Sequence, residues 1–239
     1  MRTFPRSAAA LVMLALSLSV TAPARADGPT AEQVGDPFSF GRSVTYLGRA
    51  VTRDAWLATE CLDDPDCFTL RPQPQLSTFN VENRAMIELP ADAAQSLVCF
   101  SITPLVRFEF DNLMDTMQSF ATFRVNADVT VENEVLNDPL LIDPNTRMPY
   151  GGRMKFVFRL HDESRSLGAD ERAEQTISTS RTCVGGFASR VDLINAGLSE
   201  EQATQFFHKP IRLVFGFSGQ AAMVTFGFLN YGVRVYGDR

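Results

Sequence analysis

The ten residues Phe123–Glu132, FRVNADVTVE, constrain this chain more than any other stretch. Phe123, Val125, Ala127, Val129 and Val131 fall on one side, and Arg124, Asn126, Asp128, Thr130 and Glu132 on the other. Successive side chains of a strand point to opposite faces, so the stretch reads as a strand with one buried face and one wet face.

The same period of two recurs along the chain. Met154, Phe156, Phe158 and Leu160 alternate with Lys155, Val157, Arg159 and His161. Ala85, Ile87 and Leu89 form an inward set, as do Val98, Phe100 and Ile102, and Val106, Phe108 and Phe110. Near the end, Ile211, Leu213, Phe215 and Phe217 alternate inward, and so do Val224, Phe226 and Phe228. The last strand sets Tyr231, Val233 and Val235 against Arg234 and Tyr236. Val44–Val51 and Thr176–Cys183 are weaker strand candidates. Pro, Asp and Gly mark the separators, the longest being Asn137–Gly152, NDPLLIDPNTRMPYGG; loops of that length often carry function.

One segment breaks the pattern. Ser199-Glu200-Glu201-Gln202 is a capping box, Ala203, Phe206 and Phe207 follow at helical spacing, and Pro210 stops the run. The expectation is an all-β chain: a single antiparallel β-sandwich, jelly-roll or large immunoglobulin-like, with one short helix near 199–208. An outer-membrane barrel fits less well, because its strands need about 9 to 11 residues each and most runs here read as shorter.

The N-terminus sets the compartment. Arg2 and Arg6 precede an apolar run from Ala8 to Val20, and Ala24-Arg25-Ala26 is a small-x-small cleavage site. That order is a secretory signal, and the apolar run is too short to span a bilayer. The expected organisation is a cleaved signal over 1–26, a flexible polar leader over 27–37 and one domain over 38–239. No later segment is long and apolar enough for a membrane helix. The expected location is exported, periplasmic or extracellular.

Export places the four cysteines in an oxidising compartment, where an even count predicts two bridges. The favoured pairs are Cys61–Cys67 and Cys99–Cys183. In CLDDPDC, the Asp and Pro residues are turn chemistry that brings the two ends together. Thioredoxin-like spacing, tight zinc-ligand spacing and an EF-hand oxygen pattern are all missing from it. It reads as a staple, with no metal or cofactor implied.

A net charge of −6 at pH 7 with no basic cluster argues against nucleic acid as a partner. G-x-S-x-G, H-E-x-x-H, S-x-x-K and G-x-G-x-x-G do not occur. His161 lies beside Asp162, but strand neighbours face opposite ways, and His208 reads as a helix C-terminal residue. No catalytic residue is assigned. The residues to inspect for binding are the flat aromatics near loops: Trp56, the only tryptophan, and Tyr150 in the long loop. The expected role is a non-enzymatic binding or cell-envelope structural protein whose partner is a carbohydrate or an envelope protein. The alternatives are a jelly-roll enzyme acting on polysaccharide through paired carboxylates that the sequence does not single out (Asp128 and Glu132, like Glu132 and Glu134, share a strand face that reads as solvated), and a surface-fibre subunit.

Overall fold

A computed structural model of the chain describes Phe38 and residues 41–180 and 187–239. The expected signal, the leader and Cys183 lie outside the described residues. The elements run β1 (Val44–Val51), β2 (Ala55–Ala58), β3 (Cys67–Thr69), β4 (Ser77–Leu89), β5 (Leu97–Asp111) and β6 (Gln118–Glu132). A 3-10 turn at Glu134–Asn137 follows, then β7 (Arg153–Leu167), β8 (Arg172–Ile177), β9 (Ala188–Ser189), α1 (Arg190–Asn195), α2 (Glu200–Phe207), β10 (Ile211–Ala222) and β11 (Val224–Asp238).

The strands form two sheets. A 7-stranded sheet has the order β3-β2-β11-β5-β8, with β1 also on β11 and β9 also on β5; a 4-stranded sheet has the order β4-β10-β6-β7. The apolar rows of the two sheets meet. Phe108 of β5 stacks on Phe123 of β6 with ring centroids 4.1 Å apart. Phe217 of β10 meets Tyr231 of β11 edge-on at 4.9 Å. Burying a Phe side chain contributes about 1.5 to 3 kcal/mol, so these rows hold the sheets together. Tyr231 brings a hydroxyl into that layer and donates it to the Gly216 carbonyl at 3.0 Å, which satisfies it. Burial pushes the Tyr231 phenol far above its usual range. Gly216 lies at a β4 bulge, where a Cβ would stand 2.5 Å from the Val81 carbonyl oxygen, so only glycine fits.

Several expectations need correction. The strands are mostly antiparallel, but β2 and β3 pair in parallel. β4 to β7, β10 and β11 run 12 to 15 residues, so strand length does not argue against a barrel. Two separate sheets with apolar rows facing each other do, because a membrane barrel turns its apolar band outward. The two inward sets at Val98 and Val106 belong to one strand, β5, which continues through Pro104. Of the strand expected at Thr176–Cys183, Thr176 and Ile177 end β8, Arg172–Ile177, which starts four residues earlier, and residues 181–183 lie outside the described ones.

Two bulges reverse the expected side of a row. In β7 the register slips between Arg159 and His161, so His161 turns from the polar face towards Phe108, 5.3 Å from its ring. In β11 the register slips between Val224 and Phe226. Gly227, Leu229 and Tyr231 then point inward, and Phe226 and Phe228 lie on the outer face.

The predicted helix is α2, where Ser199 and Gln202 form both halves of the capping box and Ala203, Phe206 and Phe207 are buried. A second helix, α1, was not expected. Ser189 and Asp192 cap it by the same reciprocal bonds.

Candidate functional site on the outer face of the seven-stranded sheet

Trp56 stands on β2, whose residues alternate between buried Ala55 and Leu57 and half-buried Trp56 and Ala58. Trp56 is therefore on the outer side of the sheet. Its ring is 4.8 Å from Phe228 and 5.8 Å from Phe226. The three rings form an aromatic patch facing away from the core.

The strand carrying Trp56 is four residues long and is fixed from both sides. The Trp56 amide donates to the Asp66 carbonyl at 2.8 Å. Cys67 is its register partner on β3 and is bridged to Cys61, with Cα atoms 5.6 Å apart. The Asp66 carboxylate is paired with Arg84 of the other sheet, whose side chain is only 6% exposed. CLDDPDC is thus a staple that fastens the β2–β3 edge to β4 and holds Trp56 in place. The second expected bridge ends on Cys183, outside the described residues. Cys99 is itself disulfide-bonded, and it is fully buried on the outward row of β5.

Across the sheet from Trp56, the register runs to Phe228, Arg107 and Thr176, and the next row runs from Phe226 to Glu109 and Glu174. Glu109 and Glu174 are like charges placed directly opposite, which is unfavourable by itself. Two arginines offset this: Arg107 donates to Glu174 at 2.5 Å, and Arg172 donates to Glu109 at 2.5 Å. The hydrogen bond from Arg107 holds the Glu174 carboxyl below its usual range, and the same contact raises Arg107. On the other side of the aromatic patch are Asn230, whose amide donates to the Thr52 carbonyl at 2.9 Å, and Leu105, which is 47% exposed. Flat apolar rings are therefore bordered by fixed donors and acceptors. That combination suits a ligand with apolar ring faces and hydroxyl edges, by stacking and charge-assisted hydrogen bonding.

Tyr150, the other aromatic singled out, is elsewhere. It is half-buried against the core, and its hydroxyl donates to the Ala196 carbonyl at 2.9 Å, tying the long loop to the segment between α1 and α2. Desolvation raises its pKa, with a smaller contribution from Asp143. The structure does not bring Tyr150 and Trp56 together.

Asp128 and Glu132 share the outer face of the four-stranded sheet, as the alternation implies. Lys155 lies 2.7 Å from Asp128 Oδ2, and Glu132 meets both Arg153 and Arg212. His161 is 3.3 Å from Glu163, and Gln175 donates to Glu163 at 2.8 Å, so this group clasps β7 to β8 across the sheets. His208 meets Asp92 at 2.5 Å, with both side chains more than half exposed. The nearby Ser96 hydroxyl donates to Asp238 at 2.6 Å. Phe226 and Phe228 are the residues that reading the sequence missed. The signal was present in the unbroken inward row Leu229-Tyr231-Val233-Val235, which extends back to Gly227 and leaves both rings on the other side.

Comparison of the chain with family models, with curated proteins and with solved structures finds no match.

Proposed function

We propose that the protein is an exported, non-enzymatic β-sandwich domain that binds a carbohydrate on the outer face of its seven-stranded sheet, centred on Trp56. The observation that carries this reading is the placement of Trp56, Phe226 and Phe228 side by side on the outward face. Large aromatics placed side by side on an outward face form a contiguous apolar patch of the kind that marks binding surfaces. Here a disulfide and a buried ion pair are spent on positioning one of them. The Cys61–Cys67 bridge supports export, since disulfides persist in oxidising compartments. The pairing of Asp128 and Glu132 with cations argues against that pair as a glycosidase site, because a glycosidase needs one such acid free to donate a proton.

The test is binding of the secreted protein to a panel of soluble and insoluble polysaccharides, with release of reducing ends followed in parallel. Retention on at least one polysaccharide, lost in Trp56→Ala and without chain cleavage, is the expected outcome. Sustained cleavage, or retention that Trp56→Ala leaves intact, would overturn the proposal.

A further inference from the structure

The outward row of β11 continues past the aromatic patch. Eight residues beyond Phe228, about 27 Å along an extended strand, Tyr236 meets its β1 register partner Tyr46 edge-on, with centroids 6.1 Å apart. Tyr46 is 52% exposed. Between the two aromatic clusters, Arg49 of β1 stands directly opposite Arg234 of β11, and both are exposed. Directly opposed like charges are unfavourable in a sheet. Neither arginine meets an acid among the described residues, although Arg107 and Arg172 on the same face both do. Ser101 is the register partner of Arg234, and Thr103 that of Gly232.

We propose that the ligand is a linear acidic polysaccharide laid along β11, with a carboxylate held between Arg49 and Arg234. This rests on the reading of the Trp56 face as the binding face. The two arginines supply the charge complement, and the aromatic clusters at either end supply stacking platforms for sugar rings. The length of the track calls for a polymer rather than a single sugar. Nucleic acid suits it less, because the chain carries a net charge of −6 and no basic cluster beyond this one pair of arginines on the track. Gly232, midway along the track, offers a clean probe: a Cβ there meets nothing within 4 Å.

Calorimetric titration of the intact secreted protein with polygalacturonate, alginate and hyaluronate, each beside its carboxyl-reduced neutral counterpart, tests this. At least one acidic polymer should bind, and its reduced form should bind about tenfold more weakly. The double variant Arg49→Gln, Arg234→Gln should erase that difference. Gly232→Glu should weaken the acidic polymer several-fold without lowering the melting temperature. If reduced polymers bind as well as acidic ones and the arginine variant changes nothing, the acidic ligand is wrong while the Trp56 face stands. Tighter binding of an oligodeoxythymidylate would also overturn the acidic polysaccharide. If no polysaccharide binds, the reading of the face itself fails.

Discussion

The two sheets share one pleat and one core, but their outer faces are built differently. On the four-stranded sheet nearly every outward charge is answered by a neighbour. Glu132 meets Arg153 at 2.8 Å and Arg212 at 3.1 Å, Asp128 meets Lys155 at 2.7 Å, and Asp162 meets Arg159 at 2.8 Å and Arg124 at 3.2 Å. Such a ladder keeps a sheet face soluble and its edge unattractive to other strands. On the seven-stranded sheet, solubility does not account for what is outside. Three aromatic rings share one patch, two tyrosines share another, and two arginines oppose each other between them. What separates the faces is the opposed Arg49 and Arg234, which meet no acid among the described residues, and the aromatic clusters on either side of them, and that is where a ligand has something to add.

That contrast can be broken in graded ways. Asp66→Ala leaves the Arg84 guanidinium buried without its partner and frees the β2–β3 edge. The expected loss is about 3 kcal/mol in urea unfolding, with carbohydrate binding lost as well. Trp56→Ala removes the centre of the proposed binding face with a smaller effect on folding. The expected loss of affinity is about 2 kcal/mol, or roughly thirtyfold, by calorimetry. Lys155→Met strikes the other face: it strips the cation from Asp128, whose side chain is only 6% exposed, but Lys155 is half in solvent. About 1 to 2 kcal/mol of stability should go, with affinity for carbohydrate unchanged. A drop in affinity there would erase the distinction between the faces.

The smallest effect concerns pH. The folded-state pKa of Glu174 is depressed by the Arg107 hydrogen bond. Its contribution is therefore present above the unfolded carboxyl pKa and is lost as pH falls through the lower folded value. Glu174→Gln should therefore lower the melting temperature slightly near neutral pH, and the difference from the parent should vanish in acid, which flattens the acid limb of the profile.

Much of the fold was legible because alternation over long runs is hard to mistake. β6, β10 and the inward row of β11 follow from Phe123, Ile211 and Tyr231 onward, and α2 follows from its capping box. What failed were the places where alternation is interrupted. The bulge at His161 and the one at Val224 each swap faces by a local change of register, which composition does not announce. Of the candidate site, Trp56 was visible as the lone tryptophan beside a stapled loop, and Tyr236 and Arg234 were assigned to the outer row. The rest of the site was not readable, because it is made by pairing. Arg49 meets Arg234, and Trp56 meets Phe228, only through a register set across more than 170 residues of chain.

Trp56 is the only tryptophan, so its emission reports on this face alone. The most direct measurement is a fluorescence titration of the purified protein with whichever polysaccharide it retains, beside calorimetry on the same sample. A saturable change in emission, with the same dissociation constant as calorimetry, is the predicted result. Heat of binding with no change in Trp56 emission would place the ligand elsewhere and contradict the account.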